Sequence, residues 1–146
     1  MKEVVDKVGI LERRFAVENT CSSDLCYAAA EKLIADNNID RSEIDLLVFI
    51  SQTPDYRMPA TSVILQDRLQ LPNSTIAFDI NLGCSAFMYG MSVVYALMQQ
   101  KGLRKALILD GETRSKVYSP KDRRTAFLFG DGLLGKLTRA RIKYGL

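Results

Sequence analysis

The 146-residue chain predicts an α/β fold, with a mostly parallel sheet flanked by helices. Short apolar runs recur at 44–50, 75–80 and 105–110, the first of them, IDLLVFI, nearly continuous as in a strand buried on both faces. Between these runs lie segments with helical capping or helical periodicity. Strands that alternate with helices in this order pair in parallel through right-handed crossovers.

Taken in order, Ser22, Ser23 and Asp24 offer N-cap chemistry ahead of a helix whose Leu25, Ala29, Leu33 and Ile34 share a face and which Asn37 and Asn38 can end. After the strand at 44–50, Pro59 suits the first turn of a second helix carrying Val63, Ile64 and Leu69. Residues 125–129 read as a last strand before the turn at Gly130, Asp131 and Gly132. Residues 80–100 carry no charge, but Asn81, Gly83, Ser85, Ser92, Gln99 and Gln100 interrupt them, and a membrane span needs about 20 predominantly apolar residues. The expectation is a helix over 86–98 that is apolar all round and buried in something larger than one sheet face.

Length and 47% apolar content fit one domain with a real core. No secretory segment is visible at the start, so a cytoplasmic location is expected. Three cysteines predict free thiols rather than a disulfide framework, and the absence of histidine removes the commonest zinc ligand, so no metal site is expected. Cys21 and Cys26, five apart, lack metal-ligand spacing and read as structural. The net charge of +3 comes from the end of the chain. Residues 1–131 hold 16 Lys and Arg against all 17 Asp and Glu, and Lys136, Arg139, Arg141 and Lys143 follow. Such a stretch reads as a solvated basic tail, and no basic patch interleaved with aromatics points to nucleic acid.

The chemistry centres on Cys84. The run AFDINLGCSAF places it just after a strand, across a glycine-containing turn, at the start of the apolar helix. A helix N-terminus presents unpaired N–H groups and a partial positive charge, which favour thiolate over thiol. The same groups can stabilise the oxyanion formed when a thiolate attacks a thioester, and Gly83 permits close backbone approach. A cysteine at such a junction can equally be a small buried hydrophobe.

Six collinear segments favour the nucleophile. GILERR (9–14), SDLCYAA (23–29), IDLLVFISQTPD (44–55), AFDINLGCSAFMYG (77–90), LILDGETRS (107–115) and KDRRTAFLFGDG (121–132) resemble, in order and spacing, the N-terminal half of β-ketoacyl-acyl-carrier-protein synthase III. The resemblance implies a thiolase-like fold, of which residues 1–132 would form one incomplete half and 133–146 a divergent basic tail. It places the acyl-accepting cysteine on Cys84, an arginine near a coenzyme A entrance on Arg123, and on Met58 a residue that closes a dimer partner's acyl pocket. Phe87 would line the acyl pocket or the core. The implied reaction is acyl transfer to cysteine, then decarboxylative condensation with malonyl-acyl carrier protein to a 3-oxoacyl product, initiating fatty-acid synthesis. The implied partners are acyl-CoA or acyl-carrier-protein thioesters as substrates, with no further cofactor, and a second copy in a homodimer.

The chain also departs from that pattern. Family members are about twice as long, and their second half supplies the histidine and asparagine of the condensation step, so this chain is expected to be inactive in condensation. Glu3 falls where some members stack a tryptophan on the coenzyme A adenine. The resemblance further implies a strand ahead of 1–9 in the middle of the sheet, and other residues after GDG than LLGKLTRARIKYGL, which a shifted reading frame near residue 133 would explain. A truncated pseudoenzyme or dimerising partner, and a condensing enzyme for polyketide-like chains, are the alternatives.

Overall fold

A computed structural model describes residues 5–7, 9–119, 121–122 and 128–139. Strand β1 (Leu46–Ile50) is buried along its whole length. It pairs in parallel with β2 (Ile76–Ile80) on one side and with β3 (Lys105–Glu112) on the other, and β4 (Gly132–Arg139) runs antiparallel to β3. The sheet order is β2-β1-β3-β4. The parallel expectation holds for the first three strands; β1 and most of β3 are buried, whereas β2 at the edge is only partly covered.

Side chains alternate across a strand, so the sheet builds two cores. Leu47, Phe49, Leu107 and Leu109 meet Cys26, Ala30 and Ile34 of helix α1 (Ser22–Asp36) and Leu65 of helix α2 (Thr61–Arg68) with its C-cap Leu69. On the opposite face Leu46, Val48, Ile50, Ala106 and Ile108 meet Ala86, Val94 and Met98 from helix α3 (Ala86–Leu97) and its C-cap. The result is three layers, with two helices on one face and one on the other.

Helix α1 starts and ends close to where the sequence places it. Cys21 is the N-cap residue, its N–H donating to Asp24 Oδ2 at 2.9 Å, and Asn37 closes the C-terminus with Asn38 at φ 47°. Its covered surface is wider than expected. Cys26, Ala30 and Ile34 face the core, while Ala29 and Leu33 stand over Gly135 of β4. Helix α2 begins where Asp79 of β2 accepts the N–H groups of Thr61 and Ser62, both at 2.8 Å, a carboxylate on a helix N-terminus. Val63, expected on its apolar face, is 46% exposed; Leu65 takes that place.

Four expectations are corrected. β1 and β3 pair directly over five residues, so the sheet has no gap at its centre for an earlier strand. Residues 133–139, expected within a solvated tail, form most of β4, in register with β3 from Gly132 opposite Glu112 to Arg139 opposite Lys105. The backbone ladder and Leu137, packed against the first core, hold them, while the basic Lys136 projects into solvent. Helix α3 is buried only along Ala86, Gly90 and Val94; Met88, Tyr89 and Tyr95 are exposed. Of the strand expected at 125–129, residues 125–127 lie outside the described residues, and Leu128 and Phe129 are not in a strand.

Two glycines set the spacing between layers. A Cβ on Gly90 would collide with Ile50 Cδ1, so its absence lets α3 settle close on β1. A Cβ on Gly111 would collide with Cys26 Sγ and stand 3.3 Å from the Ser22 carbonyl oxygen, which fixes how near α1 approaches β3. No helix among the described residues is long and apolar enough to cross a membrane.

Candidate active site

Strand β2 ends at Ile80, and the five residues that follow turn the chain onto α3. Ala86 N–H donates to the Gly83 carbonyl at 2.7 Å, and Tyr89 N–H to that of Ser85 at 3.0 Å. Cys84 sits inside this turn, two residues ahead of the helix, with its thiol exposed. The position expected from the sequence is therefore realised: a free thiol next to the N-terminal turn of α3, where backbone N–H groups lack helical partners.

Gly83 has a neighbour that sequence reading missed. A Cβ there would stand 2.8 Å from Gln52 Nε2, so the Gln52 carboxamide lies directly against the turn that carries the thiol. Gln52 is held in turn by Glu112, whose Oε1 accepts the Gln52 N–H at 2.7 Å and whose Oε2 accepts the Thr53 hydroxyl at 2.9 Å. Thr53 Oγ1 also receives the Thr113 N–H at 2.9 Å, and the buried Ser22 hydroxyl donates to the Thr53 carbonyl at 2.7 Å. The signal was available: Gln52 and Glu112 stand at the carboxyl ends of adjacent parallel strands, where open α/β sheets place their sites.

The remaining candidates are spread out. Met58 is 87% exposed on the loop between β1 and α2. That loop is anchored at Asp55, which accepts from Ser23 N–H at 3.1 Å and from the Ser23 hydroxyl. Phe87 packs against the core beneath α3. Arg123 lies outside the described residues.

Asp131 does more than complete a turn. It accepts Ala16 N–H at 2.8 Å, Ser115 N–H at 2.8 Å and the Ser115 hydroxyl at 2.5 Å, while its own N–H donates to the Arg14 carbonyl at 2.8 Å. It thus ties the segment before α1 to the turn after β3. Burial pushes its carboxyl up, but the bonds from Ser115 and Ala16 and the nearby Lys116 outweigh this and hold it below the usual carboxylate value. The stabilisation is therefore present above the unfolded carboxylate pKa of about 4 and is lost as pH falls through the folded value. Asp131→Asn is expected to lower stability at neutral pH and to flatten the acid limb of a pH titration of the unfolding midpoint; an unchanged acid limb would contradict the tie.

The other two thiols are held back. Burial pushes Cys26 up to about 12, reinforced by Asp110, Asp55 and Glu112. Cys21 is raised by burial and by Asp55 and Asp24, against the opposing charges of Lys116 and Arg68.

Comparison with known proteins places this arrangement. Residues 78–138, which include Cys84 and nearly all of β4, match the sequence model of 3-oxoacyl-[acyl-carrier-protein (ACP)] synthase III. The β-ketoacyl-[acyl-carrier-protein] synthase III of Rhodospirillum rubrum is 42% identical over 92% of this chain and 42% of its own length. The crystal structure of 3-oxoacyl-(acyl-carrier protein) synthase from Burkholderia xenovorans superposes with a TM-score of 0.88 at 42% identity, covering 94% of this chain and 40% of that one. AbyA1, a tetronic acid condensing enzyme, shares the fold at 26% identity, with a TM-score of 0.85 over 94% of this chain and 45% of its own. The chain spans about two fifths of the length of the synthases III it matches. With a thiolase-type half-sheet, a thiol at its carboxyl edge and this degree of identity, the chain is similar over nearly all its length to part of the 3-oxoacyl-[acyl-carrier-protein] synthases III.

Proposed function

We propose that Cys84 accepts an acyl group from an acyl-CoA or acyl-carrier-protein thioester. The thiolate attacks the carbonyl carbon, a new C–S bond forms, and the carrier thiolate leaves with the electron pair of the broken C–S bond. The observation that carries this reading is an exposed thiol in the turn between β2 and α3, two residues ahead of the N-terminus of α3. In the complete family reaction the acyl-enzyme then meets malonyl-acyl carrier protein, loses carbon dioxide and yields a 3-oxoacyl product.

That second step needs groups these residues do not supply. The 146 residues contain no histidine, and positioned acid–base groups are worth about 10²–10⁴ in rate. The chain by itself is proposed to stop at the acyl-enzyme. The exposed Met88, Tyr89 and Tyr95 of α3 fit a helix that a further protein layer covers in the assembled enzyme, and Met58, held out on an anchored loop, fits a contact with a second copy. Synthase III is preferred to a more specialised condensing enzyme because identity is 42% to the Rhodospirillum rubrum synthase III against 26% to the tetronic acid condensing enzyme AbyA1.

The test is incubation with acetyl-CoA and intact-mass detection of one acyl group, followed by addition of malonyl-acyl carrier protein. Adduct formation without 3-oxoacyl product is the expected result. No adduct at a pH where Cys84 alkylates readily would favour a non-catalytic partner.

A further inference from the structure

The Glu112 carboxylate and the Gln52 carboxamide form a connected support behind the nucleophile's turn, and neither is needed to explain the sheet. Glu112 lies at the carboxyl end of β3, and its two oxygens hold the loop that leaves β1. One accepts Gln52 N–H at 2.7 Å; the other accepts the Thr53 hydroxyl at 2.9 Å and also pairs with Arg114 Nε at 3.7 Å. Gln52 then places its carboxamide against Gly83, so close that any side chain at that glycine would press on it. We propose that Gln52, fixed by Glu112, is a positioning residue for acyl transfer: its packing on Gly83 sets the turn so that Cys84 and the first N–H groups of α3 meet one carbonyl group together.

The chemistry gives this support a specific signature. Attack on an acyl carbonyl needs the thiolate and the oxyanion donors aligned at once, and a displacement of about 1 Å can cost 10²-fold in rate. Alkylation by iodoacetamide needs only an accessible thiolate. Loosening the turn should therefore slow carbonyl attack while leaving alkylation nearly intact. Glu112→Gln must lose part of the support, because a carboxamide offers one acceptor oxygen and one NH2 group where two donors, Gln52 N–H and the Thr53 hydroxyl, now find acceptors.

This inference rests on the proposed acyl transfer, so its test uses two acyl donors. Second-order rates of Cys84 modification, resolved by peptide mass mapping, are measured with acetyl-CoA, p-nitrophenyl acetate and iodoacetamide. With p-nitrophenyl acetate the thiolate takes the acetyl group and p-nitrophenolate leaves with the electron pair of the ester bond. In Gln52→Ala and Glu112→Gln both acyl transfers are expected to fall about tenfold or more, and alkylation to change less than about twofold. Gln52→Met, which keeps the length without the amide, is expected to retain acyl transfer. Equal effects on all three reagents, no effect on any, or a Met variant as slow as Ala would each overturn the positioning role. If the unmodified chain reacts with p-nitrophenyl acetate but not with acetyl-CoA, the thioester reading fails, while the pattern across the variants still decides the role of Gln52. Because Gln52 is exposed, its variants report even if Glu112→Gln folds poorly.

Discussion

Cys84→Ala is expected to eliminate the acyl adduct formed with acetyl-CoA, while the unfolding free energy moves by less than about 0.5 kcal/mol. The expectation of an unchanged fold follows from placement. Cys84 is exposed, and the turn around it is closed by the backbone bond from Ala86 N–H to the Gly83 carbonyl, which alanine preserves. The expectation of complete loss follows from competition among the thiols. Cys26 is buried with its thiol pushed up to about 12, and Cys21, though exposed, has its thiol raised by partial burial and two carboxylates. Intact mass and peptide mapping of the wild-type, Cys84→Ala and Cys21→Ala chains make the comparison. Adduct surviving in Cys84→Ala and mapped to Cys21 would reassign the nucleophile.

Phe49→Ala is expected to cost about 3–5 kcal/mol, the largest stability effect of any single truncation in this chain. Phe49 lies at the middle of the sheet, fully buried, in the cluster that joins α1 and α2 to β1 and β3. Native domains of this size hold about 5–15 kcal/mol in all, so the variant would be marginal at best. Chemical denaturation should show a lowered midpoint with little change in slope. A loss below about 1 kcal/mol would mean that this cluster does not carry the fold.

Much of this architecture is legible in the sequence because its signals are local. A nearly continuous apolar run at 44–50 has the length of a strand covered on both faces, and β1 is such a strand. The Asn37–Asn38 pair ends α1 as its chemistry suggests. Cys84 falls in a strand-to-helix turn because glycine and an uncharged helical run announce one. What stayed hidden depends on distant partners. Residues 133–139 have neither strong alternation nor low charge, and only the ladder along β3 makes them a strand. The expectation of a missing central strand failed for the same reason, since sequence order does not say which strands become neighbours. Gln52 and Glu112 carry no motif, and only the parallel pairing of β1 and β3 brings their ends together beside Gly83. Helix α3 was expected to be covered on all sides, and composition alone cannot divide an apolar helix into the stripe Ala86, Gly90, Val94 and the face that this chain leaves open.

The contact between Cys26 and Gly111 has a practical consequence. The native chain offers two thiols to solvent and keeps the third wedged between α1 and β3. A thiol reagent in excess should therefore consume the two exposed thiols first, Cys84 and the raised Cys21, and a third only when α1 lifts from the sheet. The rate of that third equivalent is a clock built into the protein. Under conditions where the helix recloses faster than the reagent attacks, it reads the free energy of that one separation, without denaturant and without a probe attached.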